Sequence, residues 1–171
     1  MKMLIAVSSK HGSTREIAGS MADTIRGAGI EVDVVDAQDV ESVAPYDAVI
    51  VGSALHMGRW MGPARNLVNT SAEALRVRPV WLFSSGPLGR DIVDPADAAE
   101  GEKLLGLVGG RGHRVFAGKA DKATLGFFER RILSMVKNPY GDHRDWTAID
   151  AWADGIALAL DRTRSAASVP A

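Results

Sequence analysis

Short apolar runs rich in β-branched residues alternate along this chain with longer segments in which apolar residues recur at helical spacing. This alternation is typical of a parallel sheet that is covered by helices on both faces. The chain has 171 residues, of which 46% are hydrophobic and 24% charged, as in ordinary globular proteins. We expect one domain over residues 1–161, followed by a flexible C-terminal tail over residues 162–171.

Five strands and five helices are predicted. The strands cover residues 3–8, 30–35, 48–52, 80–83 and 114–117. The helices cover residues 13–27, 63–70, 96–108, 125–136 and 147–160. Residues 30–35 alternate between apolar and polar, which favours an edge strand, whereas residues 48–52 are continuously apolar, which favours a central one. Ser13 and Glu16 have the spacing of a capping box at the start of the first helix.

In such sheets, ligands bind beyond the carboxyl ends of the strands, where the strand order reverses. The binding site is therefore expected in the loops that follow the first, third and fourth strands. The first of these loops consists of Ser9, Lys10, His11, Gly12, Ser13 and Thr14. Backbone N–H groups at a helix start, hydroxyl groups and a glycine that permits close approach suit a phosphate group. An ordinary capped turn has similar residues, but the position of this loop favours a phosphate site.

The other two loops have residues that suit a planar aromatic ligand. After the third strand come Ser53, Ala54, Leu55, His56, Met57, Gly58 and Trp60. After the fourth come Ser84, Ser85, Gly86, Pro87, Leu88 and Gly89. A thioether or an indole can pack on a ring face, and small residues let backbone groups reach its heteroatoms. The alternative, that Met57 and Trp60 are core residues beneath the loop, stays open.

Three segments carry a resemblance to a known family: residues 9–18 (SKHGSTREIA), 51–60 (VGSALHMGRW) and 127–137 (FFERRILSMVK). They resemble the flavodoxin family, and within it the group that includes the menaquinone-dependent protoporphyrinogen oxidases. The resemblance implies an α/β, flavodoxin-like three-layer sandwich with a five-stranded parallel sheet of order 2-1-3-4-5. It also implies FMN as cofactor, held by the three loops above. The third segment is the discriminating one, because simple flavodoxins pass directly from the fifth strand to the last helix.

The resemblance implies an FMN-dependent oxidoreductase that acts on a porphyrinogen and passes electrons to a quinone. The alternatives are a flavodoxin-type electron carrier that docks with a redox protein partner, and a flavin-free regulatory or scaffolding domain. The absence of cysteine leaves any redox chemistry to a cofactor. His56 is the one group near the expected ring that exchanges protons around neutral pH, and no other catalytic side chain is identified.

Charge and its distribution bear on the partners. The 20 basic and 21 acidic residues give a formal charge of −1, which argues against nucleic acid as a partner. Carrier flavodoxins are more acidic, so the nearly neutral chain favours the enzyme. We expect residues 125–137 to be amphipathic and basic, with an apolar stripe and basic side chains elsewhere. This pattern suits peripheral contact with a membrane or a partner, or simple packing on the sheet. One departure from the oxidases is an acidic run after the fourth strand, formed by Asp91, Asp94, Asp97, Glu100 and Glu102.

Other functions lack the residues that they need. The four histidines, at positions 11, 56, 113 and 143, lie in separate predicted loops without metal-ligand spacing, so no metal site is expected. The sequence lacks the Gly-x-Ser-x-Gly motif that would indicate a serine hydrolase. No apolar stretch reaches the length of a membrane-spanning helix, and we expect a cytoplasmic protein that contacts the inner membrane face at most peripherally.

Overall fold

The computed structural model describes residues 1–86, 95–120 and 140–167. Its strands are β1 (Lys2–Ser8), β2 (Glu31–Asp36), β3 (Ala48–His56), β4 (Arg59–Trp60), β5 (Val80–Ser85), β6 (Gly112–Phe116), β7 (Lys119–Ala120) and β8 (Gly141–Asp142). Its helices are α1 (Ser13–Gly27), α2 (Gly62–Thr70), α3 (Ala72–Arg76), α4 (Pro95–Val108) and α5 (Trp146–Ala167), with a 3₁₀ helix over Ala37–Asp39. The predicted helix over residues 125–136 lies outside the described residues.

Five parallel strands form the central sheet in the order β2-β1-β3-β5-β6, and the short β4 pairs antiparallel with β3. Counted as in the sequence prediction, which numbers only the five long strands, this order is 2-1-3-4-5, and the prediction is confirmed. Strands β7 and β8 form a separate antiparallel pair.

The sheet has an apolar core on each face, as the alternation of its side chains requires. On one face, α1 and α5 pack against Met3, Ile5, Ile50 and Phe83. On the other face, α2, α3 and α4 pack against Leu4, Val49, Val51 and Leu82. Residues 3–7 of β1 are completely buried, because this strand has helices on both faces and a strand on each side. None of the helices within the described ranges combines the length and apolar character that crossing a bilayer requires.

Several elements extend further than predicted. Strand β5 runs to Ser85 because its parallel pairing with β3 continues through Ser53 and Ser84 and through Ala54 and Ser85. Strand β3 runs on to His56 because Leu55 and His56 pair with β4. Strand β6 begins at Gly112, so His113 lies in a strand rather than in a loop. Helix α5 continues to Ala167, and in its last turns the Thr163 hydroxyl donates to the Ala159 carbonyl oxygen and Arg164 pairs with Asp161. Residues 162–167 of the predicted tail are therefore helical.

Candidate functional site

The register of the sheet brings the three predicted loops together. Ser8 at the end of β1 pairs with Ser53 of β3, and Ser53 pairs with Ser84 of β5. Since the three strands are parallel, the segments that follow these serines leave the same edge of the sheet side by side. Ser9, Lys10, His11, Gly12 and the start of α1 thus lie next to the chain that leaves β3.

The loop between β1 and α1 leads into a helix start without a side-chain cap from the described residues. Gly12 is the N-cap residue and has a left-handed backbone with φ of 86°, and no side chain caps α1. The predicted capping box is therefore wrong: Ser13 is already helical, and the Glu16 amide bonds to the Gly12 carbonyl oxygen. The Ser13 hydroxyl instead accepts a hydrogen bond of 3.2 Å from the Lys119 amide, and Thr14 is buried. A helix N-terminus without a side-chain cap retains N–H groups for an anion.

The chain after β3 forms a tight hairpin rather than an irregular loop. Strands β3 and β4 pair through Leu55 with Trp60 and through His56 with Arg59, which leaves Met57 and Gly58 as a two-residue turn. Both have positive φ, 52° and 73°, as in the type I′ turns that usually contain Asn or Gly. Met57 is 78% exposed at the tip. A methionine in this conformation is strained, and strain of this kind concentrates at functional sites.

Trp60 lies in the core beneath this hairpin. Its side chain is buried with 2% exposure, and its indole N–H donates a hydrogen bond of 2.8 Å to the Ser84 hydroxyl. The hairpin is tied down further by the Met61 amide, which donates to the Ser53 hydroxyl over 2.8 Å. Of the three side chains considered for ring contact, His56 and Met57 are thus exposed, whereas Trp60 supports them from below.

Ser84 belongs to a polar chain that the sequence analysis missed, and this chain runs from the buried Ser84 to the exposed Glu102. Its hydroxyl lies 2.9 Å from Nε2 of His113, and Nδ1 of His113 lies 3.0 Å from a carboxylate oxygen of Glu102. The carboxylate accepts only, so Nδ1 carries the proton and Nε2 accepts from the Ser84 hydroxyl. Burial lowers the pKa of His113, and Glu102 partly offsets this effect. The neutral imidazole thus links β5, β6 and α4.

Two of the acidic residues after β5, Glu100 and Glu102, form specific contacts with these elements. Glu100 accepts a hydrogen bond from the Trp60 amide and pairs with Arg65 at 3.3 Å. Glu102 pairs with His113. Ser84 and Ser85 are buried strand residues, and Gly86 packs so closely on Leu55 that an added Cβ would lie 2.9 Å from the Leu55 Cβ. Pro87, Leu88 and Gly89 lie outside the described residues.

Arg144 is a second residue near the candidate site that the sequence analysis missed. Its side chain is only 3% exposed and pairs with both oxygens of Asp142, at 2.8 and 2.6 Å. It also donates to the Glu16 carboxylate at 2.6 Å, in the first turn of α1. These hydrogen bonds from Arg144 lower the pKa of Asp142 to about 2. No local motif distinguishes this arginine, because its contacts with Glu16 and Ser13 span more than a hundred residues of sequence.

The groups of histidine, aspartate and glutamate within the described ranges include none arranged to hold a metal ion. Within the described residues, the site instead combines an uncapped helix start, an exposed strained hairpin tip and the polar contacts of Ser84 and His113 beneath it. These features fit a ligand that carries both a phosphate group and a planar ring.

A family model described as Flavodoxin domain matches residues 4–147, and the chain belongs to this family. The chain is 25% identical over 177 residues to protoporphyrinogen IX dehydrogenase (quinone) of Escherichia coli strain K12, covering 95% of this chain and 98% of that protein. Among solved structures, an archaeal flavodoxin has a TM-score of 0.62 at 16% identity and covers 94% of this chain and 99% of its own. Rubredoxin oxygen:oxidoreductase of Desulfovibrio gigas has a TM-score of 0.67 at 16% identity and covers 94% of this chain and 36% of its own. At these identities, the solved structures show the fold alone.

Proposed function

We propose that this protein binds FMN at the carboxyl edge of the sheet and is an oxidoreductase that transfers electrons from a porphyrinogen to a quinone. The observation that carries the proposal is the N-terminus of α1, which no side chain of the described residues caps, beside the β3–β4 hairpin with its exposed tip. The likeness to the Escherichia coli dehydrogenase over nearly the whole of both chains supports the reaction class.

The phosphate would be held by the loop and helix start formed by Ser9, Lys10, His11, Gly12, Ser13 and Thr14. Backbone N–H groups and the positive end of the helix dipole supply the attraction, so an arginine in direct contact is not required. The donor set fits, because α1 lacks a side-chain cap and Gly12 adopts the left-handed conformation that brings the backbone to the helix start.

The ring would lie against the hairpin, where Met57 and His56 are exposed and Ser53, Ala54, Leu55 and Gly58 provide backbone groups. Ser84, Ser85 and Gly86, with Pro87, Leu88 and Gly89, would form its other boundary. Bound FMN would supply the redox chemistry, and the protein would supply binding, orientation and electrostatics. His56, exposed at the end of β3, would exchange protons with solvent near the ring.

The first experiment is a fluorescence titration of the flavin-depleted protein with FMN. Saturable quenching is expected, and Gly12→Asp should abolish it, because Asp at this φ is strained and adds a negative charge at the phosphate position. Gly27→Asp at the other end of α1 is the matched control and should bind as the wild type does. Absence of binding to the wild type would refute the proposal and favour a flavin-free regulatory or scaffolding domain.

Turnover then separates the enzyme from the electron carrier. The FMN-loaded protein is expected to oxidise protoporphyrinogen when menaquinone is present and to reduce menaquinone in step. FMN binding without turnover of either compound would favour a flavodoxin-type carrier that only docks with redox proteins. The flavodoxin fold of the solved structures is compatible with both outcomes.

A further inference from the structure

The start of α1 has an acidic side chain that a buried arginine holds in place. Glu16 lies in the first turn of α1, and its side chain is 53% exposed. The Arg144 guanidinium bonds to its carboxylate at 2.6 Å and to the Ser13 carbonyl oxygen at 3.4 Å. An acidic residue in the first turn of a helix is attracted to the free N–H groups there. Glu16 is therefore a potential competitor for any anion that binds at this helix start.

Arg144 is itself well fixed. It forms a two-pronged ion pair with Asp142 of β8, and its guanidinium lies over the Trp146 ring, 4.4 Å from the ring centroid. Asp142 pairs through β8 with Lys119 of β7, whose amide donates to the Ser13 hydroxyl. The two-stranded sheet and α1 are thus joined at Ser13 and Glu16. With its N–H groups directed to these partners, Arg144 is placed to act on the helix start through Glu16 rather than by touching a ligand.

We infer that Arg144 is a positioning residue that holds the Glu16 carboxylate away from the N-terminus of α1 and so enables the protein to select a phosphorylated flavin over an unphosphorylated one. This inference rests on the proposed function. Without Arg144, the carboxylate would lie free in the first turn, where it would repel the phosphate and accept hydrogen bonds from the same N–H groups.

The test compares the affinities of flavin-depleted variants for FMN and for riboflavin, which lacks the phosphate. Arg144→Gln is expected to weaken FMN binding about fivefold and to leave riboflavin binding within about twofold. The loss should shrink in about 1 M NaCl, because salt screens the repulsion between partly exposed charges. Arg164→Gln on α5, which removes an exposed arginine paired with Asp161, is the matched control and should change neither affinity.

Two double variants distinguish this role from a general loss of structure. Arg144→Gln releases two carboxylates, Glu16 and Asp142, but only Glu16 is on α1. Glu16→Gln combined with Arg144→Gln is therefore expected to restore FMN affinity to within about twofold of the wild type, whereas Asp142→Asn combined with Arg144→Gln should not. Equal weakening of FMN and riboflavin, or equal rescue by both second substitutions, would overturn the inference.

The outcomes remain separable from those of the proposed function. A wild type that binds neither flavin refutes the proposed function and the inference together. A wild type that binds FMN while Arg144→Gln binds it equally well refutes only the inference. If Arg144→Gln does not fold, Arg144→Met replaces it, because its unbranched apolar side chain can pack on the Trp146 ring without a guanidinium. Failure of both variants to fold would assign Arg144 to folding and would overturn the inference.

Discussion

The imidazole of His113 occupies the space that a side chain at position 101 would need: an ideal Cβ on Gly101 would lie 2.2 Å from Nε2 of His113. The glycine thus allows α4 to pack directly on the ring that bridges Ser84 and Glu102. The histidine is held on three sides, by a helix backbone, a hydroxyl and a carboxylate.

Gly101→Ala is expected to lower the free energy of unfolding by about 1–3 kcal/mol, because the buried imidazole cannot move aside without losing its hydrogen bonds. Urea denaturation measures the change. Gly106→Ala in the same helix is the control, since an added Cβ there meets nothing within 4 Å. This control should raise the stability by about 0.5–1 kcal/mol. Equal effects at the two positions would contradict the packing of His113 on Gly101.

His113 should make stability depend on pH. Its pKa in the folded protein is lowered by burial, so the unfolded chain binds a proton more readily. Stability is therefore expected to fall as the pH drops below about 6.5, the ordinary pKa of histidine, and through the lower folded value. His113→Gln should lose less stability between pH 7.5 and pH 5 than the wild type does. Parallel pH profiles for the two proteins would rule out His113 as the titrating group.

The left-handed backbone of Met57 is expected to lower the stability of the protein, whereas its exposed side chain is expected to contact the ligand. Asn tolerates the left-handed conformation at this turn position, so Met57→Asn should raise the free energy of unfolding by about 1 kcal/mol. The same change should weaken FMN binding, because it removes the apolar side chain from the hairpin tip. Gly58→Ala, at φ of 73°, is the opposite control and should destabilise the hairpin. A loss of stability in Met57→Asn, or an unchanged affinity for FMN, would refute this assignment.

The hydrogen bond between Trp60 and Ser84 should appear as a coupling free energy in a double-mutant cycle on protein stability. Trp60→Phe and Ser84→Ala each remove one partner of a buried 2.8 Å bond, and each is expected to cost about 1–3 kcal/mol. In the double variant, the two costs should fail to add, with a coupling of at least about 0.5 kcal/mol. Strict additivity in urea denaturation would show that the two side chains do not interact.

The hydrophobic pattern predicted the strands and helices, because the spacing that distinguishes a strand from a helix is a property of neighbouring residues. The apolar run in β1 and the four-residue spacing of Ile17, Met21 and Ile25 indicate a strand followed by a helix without reference to the rest of the chain. The same reasoning set strand ends too early after Gly52 and Phe83. The hydroxyl residues that follow looked like loop residues, but parallel neighbours pair with them and extend the strands.

The expected role of Ser13 and Glu16 was wrong for a related reason. Their spacing fits a capping box, yet both side chains are taken by partners more than a hundred residues away, Lys119 and Arg144. Trp60 is a similar case, since the partners of its backbone and indole N–H groups, Glu100 and Ser84, are remote in sequence. A capping motif shows only that a local hydrogen bond is possible, and partners remote in sequence determine whether that hydrogen bond forms.

The sequence by itself determined the α/β class, the strand order implied by the family resemblance and the three segments that lie at the carboxyl edge of the sheet. Periodicity, turn residues and motif order are properties of neighbouring residues and can be read directly from the chain. Only the tertiary structure decided that His113 is buried between Ser84 and Glu102, and that Arg144 holds Glu16. Such contacts join groups on different elements, and their energies depend on distances that form only when the helices pack on the sheet.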